Sequence, residues 1–222
     1  MTQKLVIFGT SNILSDLFDC ALARGMTIAK VVVDMPETVG ARDMPLTGRL
    51  QALAALGQQP QLLSLDEFVP AADEVYLLGP TTPARVALAD KLRQRFNLTF
   101  ATLVHPTAYV SPLATLAPGV FIGANSVIGP GVQLAEHVFV NRGVTIGHDT
   151  RIGAFSRIQP GSNLGGLSRI GHSVTVAIGA TLIERLVIGD NAFIGAGAVV
   201  TNDVEADVLV VGIPAKFKKN LS

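Results

Sequence analysis

Aliphatic residues recur at every sixth position through the second half of the chain, from Val104 to Val200, over seventeen consecutive repeats. The residue two positions before each of them is mostly small or β-branched, and Gly directly follows eight of them. Side chains two residues apart share one face of a strand, and Gly gives the backbone freedom to turn. The pattern therefore predicts short strands that turn three corners every eighteen residues and stack as a parallel β-helix.

The first half has a different pattern, in which apolar runs alternate with stretches of helical spacing. The predicted strands cover 4–9, 27–34 and 74–79, and the predicted helices cover 14–22, 50–54 and 83–96, with Pro83 near the start of the last one. Strands that alternate with helices are typical of a parallel sheet whose ligand crevice lies at the carboxyl ends of the strands. We expect a Rossmann-like α/β domain over 1–103 and an all-β domain over 104–222.

Three residues at strand ends are candidates for the substrate crevice. Gly9 and Gly79 end two predicted strands, and Asp34 ends a third, where its carboxylate can accept a hydrogen bond from a ribose hydroxyl or a base. The segment 9–14 lacks the later glycines of a dinucleotide-binding fingerprint, and no Walker A sequence occurs. Turn formation alone explains the two glycines equally well.

Composition and charge exclude several classes of protein. Seventeen basic residues balance seventeen acidic ones, which argues against a general binder of nucleic acid or of anionic membranes. Hydrophobic residues are 49% and charged residues 15% of the chain, which excludes intrinsic disorder. The single cysteine, Cys20, excludes an intramolecular disulfide framework and a multi-thiolate zinc site. We see neither a signal peptide nor an apolar window of about 18 residues, and we expect a cytoplasmic globular protein.

The histidines are the candidates for catalysis. His148 and His172 each follow an Ile-Gly pair, which predicts outward positions at two adjacent corners of the solenoid and no shared metal site; the other two are His105 and His137. Only His148 is followed by a carboxylate, that of Asp149. A neutral imidazole can take a proton from an attacking amine or hydroxyl, and a carboxylate can fix its tautomer. A solvated surface histidine is the plain alternative.

Two longer motifs resemble a known family. The segment 140–153, which contains Asn141, His148 and Asp149, and the tail 211–216 are similar to bacterial sugar O- and N-acetyltransferases of the sialic-acid-acetyltransferase (NeuD-type) family. The order of an α/β domain, a His-Pro junction at 105–106 and a β-helix also matches. The resemblance implies a left-handed β-helix, a homotrimer and direct transfer from acetyl-CoA, without a metal, to a sugar, in bacterial surface glycan biosynthesis.

The resemblance also implies roles for particular residues. His148 would be the general base, Asp149 its support and Asn141 a substrate contact, at a site between subunits. The residues expected along acetyl-CoA are those of the turn that could stabilise the oxyanion, small residues beside the pantetheine arm and a lysine for its phosphates: Gly165, Gly166, Ile178, Gly179, Ala180, Gly197 and Lys216. The N-terminal domain would hold a nucleotide-linked amino sugar, although the family's glycine-rich loop is replaced at 9–14.

Other functions stay open at this point. A sialic-acid-type O-acetyltransferase is the alternative within the same class. A γ-carbonic-anhydrase-like hydratase uses a similar solenoid but needs three zinc-binding histidines, and the four here are widely separated. A non-catalytic assembly scaffold needs only the repeats.

The residue before each inward aliphatic residue is expected to point outward. On one face these positions form a partly apolar stripe, which we expect to pack against a neighbouring subunit or the N-terminal domain: Leu103, Phe121, Phe139, Arg157, Thr175 and Phe193.

Overall fold

The chain forms two compact units, one up to Ala101 and the other from Thr102. The structure is a computed structural model, and it describes residues 3–82 and 85–221.

The N-terminal unit is a four-stranded parallel sheet with three helices. Its strands lie in the order β3-β2-β1-β4. The elements in chain order are β1 (Lys4–Phe8), α1 (Leu14–Ala23), β2 (Thr27–Val33), α2 (Leu46–Ala55), β3 (Gln61–Ser64), β4 (Glu74–Leu78) and α3 (Arg85–Phe96).

The predicted strands and helices of this unit are present, and β3 was not predicted. Strand β1 is almost wholly buried between β2 and β4, so its continuous apolar run carries a strong signal. Strand β3 is a four-residue edge strand with only Leu63 half-buried, which leaves no apolar pattern to read. Pro83, expected near the start of α3, lies outside the described residues.

The second unit is a stack of two-residue strands that form three parallel sheets. The first sheet contains β5 (Leu103–Val104), β8 (Phe121–Ile122), β11 (Phe139–Val140), β14 (Arg157–Ile158), β17 (Thr175–Val176) and β20 (Phe193–Ile194), followed by β22 (Val208–Val211) and the antiparallel β23 (Lys216–Asn220). The second sheet contains β6 (Tyr109–Val110), β9 (Val127–Ile128), β12 (Thr145–Ile146), β15 (Asn163–Leu164), β18 (Thr181–Leu182) and β21 (Val199–Val200). The third sheet contains β7 (Thr115–Leu116), β10 (Gln133–Leu134), β13 (Arg151–Ile152), β16 (Arg169–Ile170) and β19 (Val187–Ile188).

Each strand pairs in register with the strand one coil later. Thr145 pairs with Asn163, for example, and Ile146 with Leu164. The second residue of most strands points inward, so Ile146 and Ile152 are each 2% exposed. This arrangement confirms the predicted parallel β-helix, and the repeated strands are consistent with the left-handed form.

Buried hydroxyl groups occupy several inward positions two residues before the aliphatic ladder. Ser126 Oγ donates to the carbonyl of Asn141 at 2.8 Å, and Ser162 Oγ to that of Ala177 at 2.9 Å. Because a buried polar group is costly without a partner, these bonds explain why Ser can replace an aliphatic residue inside the coil. They also satisfy carbonyl groups at the corner turns.

The glycines that directly follow the aliphatic residues were expected to form the turns, but the structure gives the one at position 147 a different role. At the corner formed by 147–149, the left-handed backbone belongs to Asp149 (φ 56°) and not to Gly147. A Cβ atom at Gly147 would lie 2.5 Å from the backbone nitrogen of Gly166. Gly is therefore required directly after this aliphatic residue because the next coil approaches closely, and the turn itself comes two residues later.

The predicted apolar stripe on the first sheet is mostly buried within the chain. Leu103, Phe121 and Phe139 are each at most 4% exposed, and the rings of Phe121 and Phe139 stack with centroids 4.7 Å apart. Arg157 Nε donates to Thr175 Oγ1 at 2.9 Å. Burial lowers the pKa of the Arg157 guanidinium from its usual value.

Candidate active site

His148 and Asp149 form a hydrogen-bonded pair at the corner that follows β12. His148 Nδ1 and Asp149 Oδ2 are 2.9 Å apart, and more than half of each side chain is exposed. An ionised carboxylate only accepts hydrogen bonds, so this bond requires the imidazole proton on Nδ1. Nε2 of the neutral ring is then left with a lone pair that can accept a proton.

Backbone contacts fix the position of this pair. The N–H of Asp149 donates to the carbonyl of Pro130 at 2.9 Å, in the preceding coil. Gly131 lies against the Asp149 carboxylate, and a Cβ atom at that glycine would overlap Oδ1. The pair is therefore held from the N-terminal side of the solenoid, and the other side of the imidazole faces the next coil.

Gly166 lies next to the imidazole, one coil later. A Cβ atom at Gly166 would be 2.9 Å from both Nε2 and Cδ2 of His148. The carbonyl of His148 accepts the N–H of Leu167 at 2.8 Å, which fixes the stacking of the two corners. The N–H of Gly166 donates no hydrogen bond to any of the described residues. The missing side chain of Gly166 therefore lets the imidazole lie directly against this glycine, whose N–H is a hydrogen-bond donor close to the ring.

Asn141 does not lie at this corner of the single chain. It follows β11, at the corner formed by 141–143, and strand β12 separates it from His148. Its side chain is buried in hydrogen bonds, with Oδ1 accepting the N–H of Arg142 at 2.8 Å and Nδ2 lying 3.4 Å from Gln159 Oε1.

The residues predicted along acetyl-CoA are divided between different parts of the solenoid. Ile178, which is 61% exposed, and Gly179 lie two coils after Asn141 at the equivalent corner, and Gly197 lies three coils after it. Cβ atoms at both glycines would meet nothing within 4 Å, so this corner has an open surface. Ala180 requires a correction, because it is fully buried in the solenoid core and offers no side-chain surface to a cofactor. Lys216 is exposed in β23.

A second histidine–carboxylate pair was missed in the sequence. His172 Nε2 lies 2.9 Å from Asp190 Oδ2, and the backbone N–H of His172 donates to Asp190 Oδ1 at 2.9 Å. This pair lies at the corner that follows the third sheet, away from the corner of His148. The signal that could have found it is the eighteen-residue coil spacing, because adjacency in sequence reveals only partners within one corner.

The other two histidines are buried. His105 Nδ1 lies 2.9 Å from Thr107 Oγ1, and the ring of His137 stacks on Phe155 with centroids 4.9 Å apart. Among residues 3–82 and 85–221, no three His, Cys, Asp or Glu side chains come together as a set that could hold a metal ion.

The N-terminal unit contains a cavity of about 640 Å³ at the carboxyl ends of β1, β2 and β4, a volume typical of small-molecule sites. Gly9 and Asp34 line it, and Asp34 Oδ1 pairs with Lys91 Nζ at 2.6 Å. Gly79 is not among its lining residues. A Cβ atom at Gly79 would lie 3.0 Å from the carbonyl oxygen of Gly9, so this glycine is needed for close packing of the two strand ends.

Several residues of this cavity were not found from the sequence. The Asn12 side chain donates to Asp43 Oδ1 at 2.7 Å and accepts from Arg49 Nη2 at 2.6 Å. Arg85 also lines the cavity and is only 3% exposed. Asn12, Asp43 and Arg49 thus hold the loop after β1 by hydrogen bonds, where a dinucleotide-binding loop would use further glycines.

No helix within the described parts of the chain is long and apolar enough to cross a membrane.

Comparisons with known sequences show what the repeat region of the chain is similar to. A family model of the hexapeptide repeat of succinyl-transferase matches residues 119–147 and 185–210. Serine acetyltransferase from Buchnera aphidicola subsp. Acyrthosiphon pisum is 40% identical over 47 residues, which are 21% of this chain and only 17% of that protein.

Solved structures match almost the whole chain. The acetyltransferase domain of PglB from Neisseria gonorrhoeae FA1090 is 25% identical, with a TM-score of 0.82 over 98% of this chain and 100% of that one. The same domain in complex with acetyl coenzyme A gives a TM-score of 0.81 at 25% identity, with the same coverage. PerB from Caulobacter crescentus, in complex with CoA and GDP-perosamine, is 28% identical, with a TM-score of 0.77 over 97% of each chain.

These likenesses confirm the predicted class, a solenoid enzyme that transfers acyl groups. The chain contains hexapeptide repeats of the kind found in succinyl-transferase, and over almost its whole length it is similar in fold to the PglB and PerB proteins.

Proposed function

We propose that this protein transfers the acetyl group of acetyl-CoA to the amine of a nucleotide-linked amino sugar. The observation that carries the proposal is the hydrogen bond of 2.9 Å between His148 Nδ1 and Asp149 Oδ2, which leaves the lone pair of Nε2 to accept a proton next to Gly166. Acetyl-CoA and a nucleotide-linked sugar are the ligands of the similar PglB and PerB structures.

The acetyl group passes directly from CoA to the amine, by addition to the carbonyl carbon and then loss of the thiolate, without an acyl-enzyme. The amine nitrogen attacks the thioester carbonyl, forming a C–N bond, while His148 Nε2 accepts the proton that the amine loses. The C–S bond then breaks, and the CoA sulfur leaves as a thiolate that takes up the proton from the imidazolium. Asp149 orients the ring and stabilises its positive charge during transfer.

Gly166 supplies the hydrogen bond for the developing oxyanion. Its N–H faces no acceptor among the described residues, and preorganised backbone donors of this kind stabilise tetrahedral intermediates in acyl transfer. The absence of a side chain at Gly166 lets the imidazole lie close to this backbone donor.

The proposal includes a homotrimer whose sites lie between subunits. Asn141 and the open corner of Gly179 and Gly197 are separated by strands from His148 in one chain, so a second copy is required for them to take part. Acetyl-CoA would lie along Ile178, Gly179 and Gly197, with Lys216 near its phosphates.

The N-terminal unit would bind the nucleotide. Its strand order β3-β2-β1-β4 matches the first four strands of the doubly wound order, which supports this proposal, and its cavity offers Gly9, Asp34, Asn12 and the buried Arg85. The predicted cytoplasmic location and a role in surface glycan biosynthesis stay predictions.

Acetylation of an amine is preferred over the sialic-acid-type O-acetylation that the sequence also suggested. PerB, which is 28% identical, was solved with GDP-perosamine, a nucleotide-linked amino sugar. One zinc ion per chain in the purified protein would support the alternative function of a zinc hydratase. Failure of the protein to bind CoA would support the alternative of a non-catalytic assembly scaffold.

His148→Ala tests the proposal, with His172→Ala as the matched control. The two imidazoles are 57% and 56% exposed, and each lies 2.9 Å from a carboxylate. We expect thiol release from acetyl-CoA, measured over a panel of nucleotide-linked amino sugars and free sialic-type acids, to fall by about 10²- to 10⁴-fold only in His148→Ala. Mass spectrometry of the product would locate the new amide. A rate of thiol release in His148→Ala equal to that of the unmutated protein would refute the proposal.

A further inference from the structure

Two arginines lie side by side on the outer face of the third sheet. Arg151 of β13 pairs in register with Arg169 of β16, so their backbones are about 4.8 Å apart. Both are exposed, whereas Ile152 and Ile170, the next residues, point into the core. Within the described parts of the chain, neither guanidinium takes part in an ion pair or a side-chain hydrogen bond.

This pair belongs to a cationic stretch of a neutral chain. Residues 141–185 contain five Arg and two acidic residues, a net charge of +3, although the whole chain has seventeen residues of each sign. The two acids are already engaged, Asp149 with His148 and Glu184 with Arg185 at 3.2 Å. Like charges directly opposite each other on adjacent strands destabilise a sheet, so the fold keeps this arrangement at a cost.

The position of the two arginines relates them to the reaction. Arg151 comes three residues after His148 on the same coil, and Arg169 comes three residues after Gly166 on the next. Three residues of extended chain span at most about 10 Å, and an arginine side chain can reach back over part of this distance. An anionic group next to the reacting atoms is therefore within reach of both guanidinium groups.

We infer that Arg151 and Arg169 form a subsite for the diphosphate of the sugar-nucleotide substrate. Guanidinium groups bind phosphate oxygens in a bidentate manner, and two of them match a diphosphate. In a nucleotide-linked amino sugar, the diphosphate lies one pyranose ring from the reacting amine. In CoA the whole pantetheine arm separates the phosphates from the thioester, which places them too far away. This inference rests on the proposed function.

The kinetic test uses Arg151→Gln, Arg169→Gln and the double variant, with Arg24→Gln as a control that also removes one positive charge. We expect the KM for the sugar nucleotide to rise about three- to tenfold in each single variant and more than tenfold in the double variant. The KM for acetyl-CoA should change less than twofold. The double variant should also lose most of the salt dependence of the sugar-nucleotide KM.

A binding test separates this subsite from the proposed reaction. Calorimetric titration with inorganic pyrophosphate needs no turnover, and the double variant should bind it at least tenfold more weakly than the parent and Arg24→Gln. Arg151→Lys with Arg169→Lys should restore part of the affinity, because charge is kept while bidentate geometry is lost. Equal pyrophosphate affinity in all proteins, or an effect on the KM for acetyl-CoA alone, would overturn the inference. Absence of acetyl transfer with pyrophosphate binding intact would instead refute the proposed function.

Discussion

His148 and Gly166 occupy equivalent positions on consecutive coils, and the imidazole of His148 packs against Gly166, where a side chain would collide with it. A Cβ atom at position 166 would lie 2.9 Å from Nε2 and from Cδ2. The coil spacing therefore places a base and a backbone N–H donor side by side, although eighteen residues separate them in sequence.

Gly166→Ala should abolish most activity while the protein stays folded. The added methyl group would displace the imidazole or block the thioester, and loss of an oxyanion donor costs about 10²- to 10³-fold in kcat. Thiol release and the thermal midpoint are the two measurements. Gly48→Ala is the control, because its Cβ would make ordinary contacts of 3.5 Å in α2, and it should leave the rate unchanged. A rate of thiol release in Gly166→Ala equal to that of the unmutated protein would contradict the proposal that the reaction takes place beside Gly166.

Asp149→Asn should lower kcat about ten- to a hundredfold with little change in either KM. The new side-chain amide can donate a hydrogen bond to His148 Nδ1, and this favours the tautomer of His148 that carries its proton on Nε2. In that tautomer Nε2 cannot accept a proton from the amine. Steady-state kinetics with both substrates would measure the effect. Asp190→Asn, which alters the equivalent pair with His172, serves as control and should keep the parent kcat. Equal losses in the two variants would indicate a structural role for both carboxylates.

Gly165→Ala should destabilise the solenoid far more than Gly161→Ala. A Cβ atom at Gly165 would overlap the backbone nitrogen of Glu184, whereas one at Gly161 would meet nothing within 4 Å. The cost at Gly161 is only that of a left-handed backbone (φ 68°), about 1–2 kcal/mol. Chemical denaturation monitored by circular dichroism would compare the free energies of unfolding. Similar losses would show that the turn conformation, and not the approach of the next coil, requires these glycines.

Alkaline pH should destabilise the fold through Cys20. Burial raises the pKa of this thiol from 9.0 to about 12, so between these values the unfolded chain releases a proton that the folded chain keeps. Stability is thus fully present below pH 9 and falls as the pH rises towards 12. Denaturant midpoints measured across this range should fall less steeply in Cys20→Ala, and identical slopes would contradict the effect. Thiol reagents should react with Cys20 only after unfolding.

The β-helix could be predicted from the sequence because its core repeats every six residues. Each inward side chain, such as Ile146 or Ile152, is buried by its equivalents one coil away, so the local pattern contains the tertiary arrangement. In the N-terminal unit the local hydrophobic pattern says less about which elements pack together. Strand β3 escaped prediction because it is held by pairing with β2 and not by an apolar face of its own.

The sequence by itself determined the solenoid and the local pair of His148 with Asp149, because these depend on neighbours within one repeat. The tertiary structure alone decided which groups meet across coils. It placed Gly166 against His148 and Asp190 against His172, buried Ala180, and set Arg151 beside Arg169. The physical reason is that backbone pairing between stacked coils brings together residues eighteen positions apart, a relation that becomes specific only when the register of the strands is fixed.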